Sequence, residues 1–230
     1  MAIRNDRQRR FAALLADALY VPTCAGCDRR GSWLCGSCAA VVRPIDIPGC
    51  SRCGVISGMT CECAPLPPEL TRMRSVYPFA GWVREAIHRL KFDGERARAP
   101  MLADQFTNIA DELVGVDGIV AVPMHPNRQR RRGFNQAELL ARRVSEVFGI
   151  PVFDILRRVE DRGSQVGRIR QDRWLAIDGV FACTDRLTTR GRRLIVLDDV
   201  ITTGATVSGC AQELVAAGAA EVRALSVARG

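Results

Sequence analysis

One segment constrains the fold of this chain more than any other: Arg193-Leu194-Ile195-Val196-Leu197-Asp198-Asp199-Val200-Ile201-Thr202-Thr203-Gly204-Ala205-Thr206. Leu194–Leu197 reads as a buried strand, two acids follow it, and a hydroxyl-rich loop around a glycine leads into helical spacing over Thr206–Ala217. In an open α/β sheet, ligands sit outside the carboxyl ends of the strands, which is where the two acids fall. A loop of small residues exposes its backbone N–H groups, and the helix that follows adds its positive end. Thr202, Thr203 and Thr206 supply hydroxyl donors, so the loop suits a phosphate dianion. Asp198 and Asp199 cannot bind phosphate themselves and suit sugar hydroxyls or the hydration shell of Mg²⁺. A plain strand–turn–helix does not explain such a run of small residues.

The rest of the C-terminal two-thirds agrees with that frame. Val83–Lys91, Pro100–Val114 and Asn135–Phe148 have helical spacing, while Gly118–Val122, Gly179–Ala182 and Val222–Val227 read as short strands. Alternating elements of this kind predict a mainly parallel sheet flanked by helices, an α/β fold.

A second loop carries concentrated charge. The strand ending at Val122 runs into Pro123-Met124-His125-Pro126, and Arg128, Arg130, Arg131 and Arg132 follow before the next helix. Pyrophosphate needs backbone donors and guanidinium forks, and this loop offers both at a strand end. Pro123, Met124, His125, Arg128 and Arg132 are the candidates, with His125 also suited to bracing the loop. His88, on a helix, reads as structural. A third stretch, from Leu156 through Arg157, Arg158, Gln165, Arg168, Arg170 and Arg173, has no apolar period. It reads either as a mobile basic loop closing over a polyanion, which makes Arg168 and Arg170 candidates, or as an exposed hairpin.

The N-terminal region has a different chemistry. Eight of the ten cysteines form close pairs: Cys24/Cys27, Cys35/Cys38, Cys50/Cys53 and Cys61/Cys63. Two such pairs make a tetrahedral four-sulfur site, so eight thiolates suit two structural Zn²⁺ ions. Seven residues separate Cys27 from Cys35, and seven separate Cys53 from Cys61, which favours pairing between neighbours. The interleaved arrangement, Cys24/Cys27 with Cys50/Cys53 and Cys35/Cys38 with Cys61/Cys63, also satisfies the spacing. Closed four-sulfur sites leave no open position for chemistry, so this module is structural or a docking surface. Cys183 and Cys210 stand apart in apolar surroundings and read as core residues.

These features divide the chain into an amphipathic helix over 1–22, a cysteine-rich module over 23–64, a Pro-rich linker over 65–70 and an α/β domain over 71–230. The N-terminal helix rests on Phe11, Leu14, Leu15, Ala18 and Leu19, with Asp17 interrupting the apolar stretch that a signal peptide needs. No apolar run approaches the ~20 residues of a membrane span, and the expected location is the cytoplasm. The formal charge of +8 overstates the basic character. Eight thiolates subtract eight and two zinc ions restore four, leaving +4.

The Arg193–Thr206 segment resembles the 5-phosphoribosyl-1-pyrophosphate (PRPP) motif of type I phosphoribosyltransferases. The resemblance implies that Asp198 and Asp199 face the ribose hydroxyls, with Thr202, Thr203, Gly204, Ala205 and Thr206 around the 5′-phosphate. Nearly the whole chain is similar to the ComF-type competence proteins, which join a cysteine-rich module to a phosphoribosyltransferase domain related to amidophosphoribosyltransferases. That likeness rests on the paired cysteines, Leu90-Lys91-Phe92-Asp93-Gly94, Val122–Pro126, Arg132-Gly133-Phe134-Asn135-Gln136-Ala137 and Gln165. It departs from the family at Ala176, which stands where an Asn usually precedes the Gly-x-Phe of Gly179–Phe181. The resemblance implies Mg²⁺ with PRPP, and transfer of the phosphoribosyl group to a base or amine with release of pyrophosphate. It equally implies a DNA-uptake factor contacting single-stranded DNA or competence-machinery proteins, with the PRPP pocket as a sensor.

Overall fold

The structure, a computed structural model, describes residues 21–46, 50, 52–55, 61, 70–159 and 179–230. The N-terminal helix, Cys63, most of the Pro-rich linker, and the stretch holding Gln165, Arg168, Arg170, Arg173 and Ala176 lie outside those residues.

Four parallel strands form the central sheet in the order β1-β6-β5-β2: β1 (Leu70–Pro78), β6 (Glu221–Arg229), β5 (Arg193–Ile201) and β2 (Gly118–Ala121). The two central strands read as nearly continuous apolar runs because both faces of the sheet are covered. On β5, Ile195 and Leu197 enter one layer of the core while Leu194 and Val196 enter the other. The first layer is closed by α2 (Gly81–Phe92), α3 (Ala99–Ala103) and α5 (Gln136–Phe148), through Ile87, Leu90, Leu102 and Leu140. The second is closed by α7 (Ala205–Ala216), through Val207, Cys210 and Leu214, and by Leu156 and Phe181 of a small antiparallel pair. That pair is β3 (Leu156–Arg158) with β4 (Phe181–Cys183), and α6 (Arg186–Thr189) follows it.

Several sequence expectations need correction. The helix expected over Pro100–Val114 ends at Ala103 and continues as 3-10 turns over Asp104–Leu113, with Ile109 out of helical geometry. Thr107 and Asn108 donate to the carbonyls of Asp104 and Gln105, competing with the α-helical ladder. The arginine-rich stretch expected as a loop is a helix, α4 (Pro126–Arg132). Pro126 pre-sets its first turn, His125 Nδ1 accepts from the Asn127 N–H, and Gly133 ends it at φ 81°. Strand β1 lacked a clear signature because Arg72 and Arg74 break the apolar alternation. Both reach the buried carboxylate of Glu112.

The cysteine-rich region packs onto this domain along the outer edge of β1. The Ile45 N–H donates to Val76 O at 2.8 Å, and the Met73 N–H donates to Arg52 O at 2.7 Å. An unpaired strand edge is thereby covered. Ala25 and Val42 join the first core layer, and Cys53 and Val55 join the second. The short helix α1 (Gly36–Ala39) follows Cys35. Arg98, fully buried, fastens the region further: it pairs with Glu95, donates to Trp33 O and Thr23 Oγ1, and lies over the Trp33 ring.

Candidate phosphate-binding cleft and cysteine centres

Strand β5 runs on through both acids to Ile201, so Asp198 and Asp199 lie within the strand rather than beyond it. Successive strand residues point to opposite faces. Asp199 therefore shares the face of Ile195 and Leu197 and meets α2, where Lys91 Nζ stands 2.6 Å from its Oδ2. Asp198 shares the other face with α7. Burial and the Asp199 charge hold its carboxyl well above the usual range, with Lys91 opposing. Burial, and next the Asp198 charge, push the Cys210 thiol up as well. Each carboxylate accepts from the backbone N–H of the next residue, at 2.8 Å for Asp198 and 2.9 Å for Asp199.

Beyond the acids, the chain turns at Gly204, whose φ of 84° is the left-handed conformation that a side chain disfavours. Gly204 is the N-cap of α7 and offers no side-chain cap, so the first N–H groups of α7 face the loop. Thr203 Oγ1 accepts from the Ala205 N–H at 3.3 Å. Thr202 to Thr206, with Asp198, enclose a small hollow of about 30 Å³.

Asp198, Asp199 and Thr206 also line a larger cleft of about 710 Å³, shared with Pro123, Met124, His125, Arg128 and Arg132. The structure thus brings the described candidates of the two loops to one place. It adds residues that were not among the site candidates: Lys91, Phe92, Gly94, Arg131, Asn135, Gln136 and Arg158. Among the described lining residues, five cations (Lys91, Arg128, Arg131, Arg132, Arg158) oppose two carboxylates, so the cleft suits a polyanion. Its far wall is held rigidly. Asn135 Nδ2 donates to Val122 O at 3.0 Å while its Oδ1 accepts from the Ala137 N–H. Arg132 donates to Gln136 Oε1 at 2.6 Å and lies over Phe92. Burial lowers the Arg132 pKa, with Asp199 opposing.

The sulfurs of Cys24, Cys27, Cys35 and Cys38 lie within 4.8 Å of one another, as do those of Cys50, Cys53 and Cys61. Neighbouring pairs therefore come together, not interleaved ones. Backbone N–H groups of Gly26 and Cys35 each donate to Cys24 Sγ at 3.4 Å. Burial works to raise the Cys24 thiol, but the N–H groups of Cys35, Gly26 and Cys27 prevail and bring it down to about 6. Hydrogen bonding from Cys35, with burial, pushes Cys38 up to about 12. Sulfurs crowded this closely, with N–H donors aimed at one of them, fit a tetrahedral thiolate metal site. A Cβ at Gly26 would meet Cys38 Sγ at 2.7 Å, so the turn admits only glycine there.

Residues 130–230 match the family described as the phosphoribosyl transferase domain. With its parallel sheet and acid-bearing strand end, the C-terminal domain is of the phosphoribosyltransferase type. The chain is 31% identical to the DNA utilization protein YhgH of Salmonella typhi over 208 residues, 85% of this chain and 90% of that protein. It is 29% identical to competence protein F of Haemophilus influenzae over the same shares. Among solved structures, the glutamine PRPP amidotransferase of B. subtilis matches at 25% identity and a TM-score of 0.36. The match covers 55% of this chain and only 24% of that enzyme's length. On its full-length relatives, the chain belongs to the ComF and YhgH family of competence and DNA-utilization proteins.

Proposed function

We propose that the cleft binds PRPP with Mg²⁺ and that the domain transfers the phosphoribosyl group to a base or amine, releasing pyrophosphate. The observation that carries this reading is that the acid pair and Thr206 face an arginine-rich wall in one cleft, while the rest of the threonine loop lines a hollow that shares Asp198 and Thr206 with it. Thr202, Thr203, Gly204, Ala205 and Thr206 hold the 5′-phosphate through loop N–H groups and hydroxyls. Asp198 and Asp199 take the ribose hydroxyls and the metal. Asp198, half-buried and pressed by a neighbouring charge, has the environment that a cation relieves. Mg²⁺ supplies charge neutralisation to the leaving pyrophosphate. Arg128, Arg132 and Arg158 face that leaving group, joined by Arg168 and Arg170 from the basic stretch. His125 braces the helix that presents Arg128 and Arg132. In the reaction, the bond from the anomeric carbon to pyrophosphate oxygen breaks and a nitrogen lone pair takes its place. The acids favour the positive character that develops at the sugar, and catalysis is positional and electrostatic.

Two Zn²⁺ ions in the cysteine centres, the second completed by Cys63, are structural and seat residues 23–64 on a domain spanning 71–230. A cytoplasmic location follows from this chemistry. Among the described residues, no helix is long and apolar enough to cross a membrane.

The relatives' names favour a second reading, a non-enzymatic competence factor that contacts single-stranded DNA or partner proteins and senses PRPP. Contact with DNA through phosphates weakens steeply with salt, whereas PRPP in the cleft competes with pyrophosphate and needs Mg²⁺.

The test is the thermal midpoint with PRPP and Mg²⁺, beside an Asp198→Ala/Asp199→Ala double variant. A ligand at ~100 times its dissociation constant adds about 2.7 kcal/mol to the folded state. We expect a rise of several degrees in the wild type, lost in the variant and without Mg²⁺. No rise in the wild type rules out PRPP as the ligand.

A further inference from the structure

Lys91 ends helix α2 more than a hundred residues from Asp199 in the chain, yet its ammonium stands 2.6 Å from the Asp199 carboxylate. The Asp199 side chain is 3% exposed and Lys91 is 22% exposed, so the pair forms at the cleft wall with the lysine on the open side. Asp199 Oδ1 is already engaged with the Val200 N–H, and Lys91 meets the other oxygen. The ammonium therefore sits on the carboxylate oxygen that a sugar hydroxyl or metal must reach. Anything docking on Asp199 has to displace it, and a buried carboxylate released without a replacement is costly.

The displaced cation has somewhere to go. Lysine carries a point charge on a flexible stem, so its ammonium can turn from one acceptor to another. The cleft around it holds four arginines and no carboxylate besides the acid pair among the described lining residues. Once a polyanion fills the cleft, the nearest free acceptors for the ammonium belong to that ligand.

We propose that Lys91 is a ligand-binding residue that exchanges partners, holding Asp199 when the cleft is empty and a phosphate oxygen of the bound phosphoribosyl polyphosphate when it is full. The proposal rests on the PRPP reading above. Its rival makes Lys91 only a counter-ion that keeps Asp199 folded in place.

The test is calorimetric binding of pyrophosphate alone and of PRPP with saturating Mg²⁺ to the zinc-loaded protein. It compares the wild type, Lys91→Met, Lys91→Arg, Asp199→Asn, and Lys91→Met/Asp199→Asn. The last removes both charges, so no buried carboxylate is left unpaired to disturb folding. Pyrophosphate needs neither the acids nor the sugar, so it reads the lysine contact directly. We expect Lys91→Met to weaken both ligands at least about tenfold, the scale of a lost charge-assisted hydrogen bond, and Lys91→Arg to recover most of the pyrophosphate affinity. Lys91→Met/Asp199→Asn should bind pyrophosphate at least about tenfold more weakly than Asp199→Asn. Equal pyrophosphate affinity in those two, or tighter PRPP binding by Lys91→Met, overturns the exchange and leaves the counter-ion role. A wild type that binds neither ligand removes the PRPP reading itself, and this proposal with it.

Discussion

Arg89 on helix α2 donates to Asp28 Oδ1 at 2.7 Å, and Asp28 directly follows Cys27, a member of the first sulfur cluster. The same helix starts at Gly81 and Trp82, beside Val42 and Gly26, and ends at Lys91 and Phe92 in the cleft wall. One helix thus touches the cysteine centre along its length and the candidate cleft at its end. Asp28 is mostly exposed, so this ion pair alone contributes little, about 1 kcal/mol or less. The cysteine centre behind it is expected to matter more.

The metal content of the purified protein should be about two zinc ions per chain. Cys24→Ser/Cys38→Ser should lose one ion and keep the other, because the structure groups Cys24, Cys27, Cys35 and Cys38 together. Loss of both ions would indicate the interleaved arrangement. Chelation of both should lower the thermal midpoint and change tryptophan emission, since Trp33 and Trp82 pack beside the first centre.

Arg98→Ala should be among the most destabilising substitutions in the chain. It removes a fully buried cation together with its pair to Glu95 and its hydrogen bonds to Trp33 O and Thr23 Oγ1. Breaking a buried pair in this way costs about 3–5 kcal/mol. Denaturant titration reads the loss directly, and a cost near that of a surface pair would show that the arginine does not anchor the cysteine region.

Gly204→Val places a branched side chain at φ 84°. Left-handed backbone costs an L-residue about 1–2 kcal/mol. The strain falls on the loop that presents the α7 N–H groups, so the PRPP-induced rise in thermal midpoint should shrink by more than the stability does. An unchanged rise would argue that the threonine loop does not hold the 5′-phosphate.

Asp198 sets a pH dependence. Its carboxyl is held well above the ordinary 3.8, so the folded state binds this proton more tightly than the unfolded chain. The contribution is present at low pH and is lost as pH rises from the ordinary carboxylate range through the raised value. Asp198→Asn removes the ionisation. Its ligand-free thermal midpoint should exceed that of the wild type at neutral pH, with the gap closing on acidification, while the response to PRPP disappears. A gap independent of pH would mean that the Asp198 charge is already compensated.

The acid and threonine loop was legible as a structural element because its pattern is local. Acids, hydroxyls, glycine and helix start lie within one short run, and backbone geometry alone brings their N–H groups together. The cysteine pairs were legible for the same reason, since a C-x-x-C turn aims two sulfurs at one point whatever surrounds it. Their grouping was legible only as a preference: the equal seven-residue gaps favoured neighbouring pairs, which the structure brings together, although interleaved sites satisfy the same spacing. The arginine-rich stretch misled because charge masks helical periodicity; its evidence lay in the caps, His125, Pro126 and Gly133. Strand β1 hid for a similar reason, its arginines being neutralised by Glu112, which no local pattern reveals.

By itself, the sequence determined the α/β class, the identity of the acid and threonine elements, and the presence of paired cysteine knuckles that can hold a metal. These depend on contacts between residues close in the chain. Tertiary structure alone decided that Lys91 and the arginines of α4 meet the acids across one cleft, and that the cysteine region closes the free edge of β1. Such pairings join residues far apart in sequence, and only the packing of helices on a twisted sheet selects them.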